Sequence, residues 1–197
     1  IAALLCGAKS AFCLDIDPAA VEGTLENAQK NHISSDRLQA IHANILENHK
    51  EILAQCHAPF HITVANILAD VIVPLTDYIG EFMNEDSIFI SSGILAEKAD
   101  MVERSLHKNN FTIIEKNTMG DWVSFVAKKN NWCKQWNEKP KCNKTHKKII
   151  NQNKNNTGDC SIETALAYDV ANYLPKVLKE NEELKIQEIE IEIEGLN

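Results

Sequence analysis

The chain has 197 residues, 44% of them hydrophobic and 24% charged, with a formal net charge of −8. That length fits one domain or slightly more, and the apolar share suffices for a buried core. The longest apolar run, Ile1 to Cys6, is far shorter than the roughly 20 residues that cross a bilayer, and no signal-peptide pattern stands before it. The sequence therefore reads as a cytoplasmic protein, neither spanning a membrane nor secreted, and its acidity argues against general nucleic-acid binding.

The chain opens inside an apolar pattern: Ile1-Ala2-Ala3-Leu4-Leu5 reads as a helix interior with no cap before it, the mark of a fragment. Ala11 to Leu14 is a buried parallel strand ending in Asp15. Asp17 then caps a helix whose first residue is Pro18 and which runs to about Asn31. Leu38 to His42 is a second strand and Glu47 to Gln55 a second helix. A third strand, Ile62 to Ala65, leads into a helix from about Leu68 to Phe82. Ser87 to Ser91 is a fourth strand, followed by a helix over Ala96 to Lys108. Phe111 to Glu115 and Trp122 to Ala127 close the block as two strands with only a turn between them, which predicts an antiparallel pair. Apolar strands alternating with amphipathic helices predict an α/β fold with a mostly parallel sheet covered on both faces.

Charge marks a boundary near Ala127. The balance is −9 up to that residue, +8 over 128–154 and −7 over 155–197. The basic stretch 130–157 has hardly an aliphatic residue and reads as a disordered linker. In 158–197 a helix is expected over about 162–174, interrupted at Pro175. Residues 185–194 then alternate Ile and Glu, with Ile189, Ile191 and Ile193 on one face, which predicts a half-buried strand. This tail carries no chemistry at the level of sequence.

Six cysteines show no Cys-x-x-Cys spacing, so no metal site is assigned and reduced thiols are expected. A zinc group built from Cys133, Cys142, His146 and Cys160 is the weaker alternative, because its gaps match no known finger.

Three strand ends carry candidate chemistry. Asp15, at the carboxyl end of a buried strand, either accepts the hydroxyls of a cofactor ribose or caps its own turn. Asn44, after the second strand, either meets an adenine edge or serves turn geometry. Asn66 ends the third strand just before a helix. Its side-chain carbonyl and the backbone carbonyl of Ile67 can hold an amine by its protons and aim the lone pair at a methyl donor. The competing role for Asn66 is helix N-cap.

Taken together, several motifs resemble one family. They are Gly7-Ala8-Lys9, Leu14-Asp15-Ile16-Asp17-Pro18-Ala19-Ala20-Val21, Glu26-Asn27-Ala28, Val64-Ala65-Asn66-Ile67-Leu68-Ala69, Ser92-Gly93-Ile94-Leu95-Ala96-Glu97 and Gly120-Asp121-Trp122-Val123. In this order and spacing, over residues 1–129, the chain resembles PrmA, the bacterial ribosomal protein L-eleven methyltransferases. The resemblance implies a class I S-adenosylmethionine-dependent methyltransferase (Rossmann-like) α/β sandwich and S-adenosyl-L-methionine as cofactor. It also implies lysine and N-terminal amines of ribosomal protein L-eleven as substrate, with a monomeric enzyme and no membrane or nucleic-acid partner. By the same resemblance Asp15, Ile16, Asn44 and Asn66 bind the cofactor, and Asn66 with Ile67 lies at the methyl-donating end.

The departures are equally specific. The family places a first strand and an Asp-x-Gly-x-Gly-Ser-Gly loop just before the helix in which this chain begins, and none of the seven glycines forms such a loop. The family's N-terminal recognition domain also has no counterpart here, and after Lys129 the resemblance stops. The expectation is a sheet with a gap between the strand ending at Asp15 and the strand ending at Ala65, marginal stability, and no methyl transfer by this fragment alone. A truncated, inactive fragment with an interaction tail is one alternative. A methyltransferase of the same fold acting on another protein, RNA or small molecule is the other.

Overall fold

Each βα unit begins with a local signal that the chain obeys. In the computed structural model, which describes residues 1–130 and 187–192, Ser10–Asp15 forms β1 and Pro18–Lys30 forms α2. The carboxylate of Asp17 accepts a hydrogen bond from the Ala19 N–H at 2.8 Å, and Pro18 takes the first helical position, where its missing N–H costs nothing. Before β1, Ala2–Leu5 makes a single turn of helix, α1. Arg37 anchors it by donating from one guanidinium nitrogen to the Leu4 and Ala8 carbonyls, at 3.0 and 2.7 Å.

Leu38–His42 forms β2, and α3 spans Ile45–Gln55, starting two residues earlier than expected because Asn44 caps it. Phe60–Asn66 forms β3. The single helix expected over Leu68 to Phe82 is instead α4, Ala69–Leu75, followed by a separate 3₁₀ turn at Ile79–Phe82. Pro74 sits inside α4, where it lacks the N–H that would donate back to the Asp70 carbonyl, and the helix closes at Thr76, whose hydroxyl donates to the Val73 carbonyl.

β4 is longer than its apolar run, Met83–Leu95, and leads through a short 3₁₀ turn into α5, Ala99–Lys108. β5, Phe111–Met119, and β6, Trp122–Lys129, form the expected antiparallel hairpin. Its two-residue loop places Gly120 at φ +57°, the conformation that such a turn assigns to glycine.

The seventh strand, β7 (Gln187–Glu192), comes from the acidic tail. Sheet order is β2-β1-β7-β3-β4-β6-β5, with β7 parallel to both β1 and β3. The gap expected between the strands ending at Asp15 and Ala65 is therefore filled, by a segment far away in sequence. The linker expected over 130–157 lies outside the described residues from 131 onward, as does the helix expected at 162–174.

Two apolar clusters cover the sheet. The larger gathers all six phenylalanines with Ile45, Ile52, Ile72, Leu75, Val102 and Leu106 from α3, α4 and α5. Burying one Phe is worth roughly 1.5–3 kcal/mol, so this face is the main stabilising block. The smaller packs Leu4, Ala28 and Ile33 over Ala11, Cys13, Ile62, Val64 and Ile90. Both clusters leave the carboxyl ends of β1, β2 and β3 at one rim of the sheet, where the loops carry the candidate residues.

Candidate functional site

The rim is built from three strand ends that register sets at one level. Leu14 aligns with Ile191, and Ala65 aligns with Ile191 from the other side. Asp15 and Asn66 therefore end their strands together, one strand apart, about 9–10 Å across the sheet by ordinary strand spacing. Glu192, the last residue of β7, aligns with Asn66.

Asp15 is 5% exposed. One carboxylate oxygen accepts from the Asp17 N–H at 2.7 Å, which tightens the turn into α2. The other, Oδ2, is buried with no hydrogen-bond partner among the described residues. Turn stabilisation thus uses half of this carboxylate and leaves the other half as an acceptor. A buried acceptor left unpaired costs about 1–3 kcal/mol, which a hydroxyl donor from a ligand would recover. Beside it Ile16 is exposed, and its carbonyl contacts the His42 ring nitrogen at 3.0 Å. His42 is a loop anchor.

Asn44 is fully engaged locally. Its Oδ1 accepts from the Leu46 N–H and its Nδ2 donates to Glu47, each at 3.1 Å, an arrangement close to a capping box. The side chain that the sequence offers to an adenine is thus already committed to starting α3.

Asn66 behaves in the opposite way. The N-cap of α4 is Leu68, without any side-chain cap bond, so Asn66 does not cap the helix that follows it. Its Oδ1 is buried and unpartnered among the described residues. The backbone turns at once: the Ile67 N–H donates to the Ser92 carbonyl at 3.3 Å. Opposite lies Gly93, at φ +76°, where the β4–β6 register shifts between Ser91 and Ile94. A Cβ on Gly93 would stand 2.9 Å from the Ile67 carbonyl oxygen and 3.2 Å from Asn66 Oδ1. The two oxygens thus converge on the space that glycine leaves open, and only glycine lets this bulge come so near.

Gly93 shapes this rim, and no residue-by-residue signal of function points to it. Its signal is an isolated glycine inside an apolar strand, the mark of a bulge or a close backbone approach. Nearby, Lys98 pairs with Asp70 at the start of α4, tying the end of β4 to that helix. Leu68 stands exposed on the same loop. No group of three or more metal-ligating side chains occurs among the described residues, and the Cys133/Cys142/His146/Cys160 alternative lies outside them.

The sequence model of the ribosomal protein L11 methyltransferase (PrmA) family matches residues 1–130. The chain belongs to this family. The PrmA relative from Lachnoclostridium phytofermentans, a ribosomal protein L11 methyltransferase, is 41% identical over 138 residues, covering 64% of this chain and 41% of its own. The crystal structure of ribosomal protein L11 methylase from Lactobacillus delbrueckii subsp. bulgaricus superposes with a TM-score of 0.58 at 29% identity, covering 66% of this chain and 63% of that one. A protein described as a methyltransferase and solved in complex with SAH superposes at 0.56 with 14% identity, over 64% of this chain and 41% of its own, a likeness of fold alone. The chain spans about two fifths of the length of the curated PrmA relatives it matches. Within that span it has the α/β methyltransferase architecture.

Proposed function

We propose that this chain is the cofactor-binding part of a protein N-methyltransferase, with S-adenosyl-L-methionine as donor and lysine and N-terminal amines of ribosomal protein L11 as acceptors. It acts as a cytoplasmic monomer without a membrane or nucleic-acid partner. The supporting observation is the pair of oxygens, Asn66 Oδ1 and Ile67 O, gathered beside Gly93, with Oδ1 lacking a partner among the described residues.

In this reading the cofactor supplies an electrophilic methyl group on a sulfonium. Asp15 Oδ2 would accept from the ribose hydroxyls, and Ile16 and the backbone after β2 at Asn44 would hold the adenosine. Asn66 Oδ1 and the Ile67 carbonyl accept the protons of the neutral target amine and point its lone pair outward. With the cofactor bound, the C–N bond would form as the C–S bond breaks, and the methylated amine would give up one proton to solvent. The protein contributes alignment rather than acid–base chemistry.

A second reading, a catalytically silent chain, is favoured by one observation: β7 brings Glu192 into register with Asn66.

Calorimetric titration with S-adenosylmethionine, beside methyl incorporation into purified ribosomal protein L11, separates the two. Asp15→Ala is expected to weaken cofactor binding by about tenfold or more, the scale of one charge-assisted hydrogen bond. Asn66→Ala is expected to spare binding and slow transfer by about 10². Equal loss of binding in both variants would move Asn66 to the cofactor and overturn its amine role. Absence of both binding and turnover in the unmodified chain would establish the silent reading.

A further inference from the structure

β1 and β3 have no register with each other; each pairs with β7 over five aligned positions. Remove β7 and the sheet separates into β2-β1 and β3-β4-β6-β5, each with an open parallel edge. Unpaired edges of this kind recruit extended chain, because their N–H and C=O groups need partners.

A strand at the centre of a parallel sheet, covered on both faces, is ordinarily a continuous apolar run. The neighbours come close to this: Ala11-Phe12-Cys13-Leu14 in β1, and Ile62-Thr63-Val64-Ala65 in β3, where Thr63 alone is polar. The Glu188-Ile189-Glu190-Ile191 run of β7 does not. Register aligns Ile189 with Phe12 and Thr63, and Ile191 with Leu14 and Ala65; Phe12, Leu14 and Ala65 belong to the larger cluster. It aligns Glu188 with Ala11 and Ile62, and Glu190 with Cys13 and Val64, four members of the smaller cluster. The cleft asks for an apolar residue at every position, and this occupant answers at alternate ones.

We propose that the cleft between β1 and β3 is a strand-acceptor site, filled by residues 187–192 of the same chain as an exchangeable parallel strand. Backbone pairing to both neighbours holds the strand, and the glutamates in its sequence, in register with apolar residues on either side, leave it replaceable by a segment that is apolar throughout.

The test uses the full 197-residue chain. Glu188→Val/Glu190→Val is expected to raise Tm by about 5 °C or more, since one kcal/mol shifts Tm by roughly 2–4 °C at this size. An unchanged or lowered Tm overturns the proposal. This variant removes no pairing, so its outcome does not depend on surviving a disruptive change. Ile189→Pro/Ile191→Pro, which cannot sit in a central strand, is expected to abolish hydrogen-exchange protection at the Phe12, Leu14, Ile62 and Val64 amides, the ones that face β7, or to eliminate the cooperative melt. Unchanged protection and melting overturn the proposal. Finally, a fluorescent peptide of residues 184–197 carrying both valines should bind the proline variant saturably, and the unmodified chain at least about tenfold more weakly, because there the cleft is already filled. Equal binding to both, or binding to neither, overturns it.

Discussion

Gly93 and Asn66 meet across the bulge in β4: a Cβ on Gly93 would lie 3.2 Å from Asn66 Oδ1, with the Ile67 carbonyl oxygen at 2.9 Å. The glycine is needed twice over, for its φ of +76° and for this approach. Gly120 has a φ of +57° but nothing within 4 Å of its Cβ position. Gly93→Ala is therefore expected to cost about 2–3 kcal/mol, and Gly120→Ala about 1 kcal/mol. Urea unfolding of the two variants measures the difference. Equal costs would mean that the contact with Asn66 and Ile67 contributes nothing.

The two asparagines at strand ends should separate cleanly in stability. Asn44→Ala removes a cap and the link to Glu47, so a loss of about 1 kcal/mol is expected. Asn66→Ala removes a buried, unpartnered acceptor and no cap. It should be neutral or slightly stabilising, within about 1 kcal/mol. A large loss of stability in Asn66→Ala, read by the same urea titration, would show that this side chain is structural.

Thiol reactivity should follow burial. Cys6 is exposed, whereas Cys13 and Cys56 are buried, and burial pushes the Cys56 thiol up from its ordinary value. Since the thiolate is the nucleophile, iodoacetamide at pH 8 should label Cys6 in the native chain. Cys13 and Cys56 should react only after unfolding. Peptide mapping by mass spectrometry reads all three, and early labelling of Cys56 would contradict its packing.

Stability should also respond to the titration of His61 on β3, whose imidazole is held below 6.5 by burial. The unfolded chain binds this proton more readily than the folded one, so unfolding gains as pH falls. The stability contributed by neutral His61 is present above pH 6.5 and is lost as pH drops from there through the folded-state value. His61→Gln should flatten thermal stability between pH 7 and pH 5. An unaltered slope in that variant would assign the pH response to other groups.

Much of the α/β block follows from short-range chemistry in the sequence. Asp17 with Pro18 sets the start of α2, alternating apolar runs set the strands, and a two-residue loop at Gly120 sets the antiparallel ending. These signals act over a few residues, so a linear reading captures them. Three matters were decided only by tertiary structure. Whether Asn44 or Asn66 caps a helix depended on where each following helix began, and the chain chose Asn44 and Leu68. The oxygens of Asn66 and Ile67 converge because a bulge in β4, far away in sequence, presses Gly93 against them. The place of Gln187–Glu192 beside β1 and β3 rests on edge pairing between distant segments. Its Ile/Glu alternation announces a strand, but only the open hydrogen-bonding edges of two other strands decide where that strand lies.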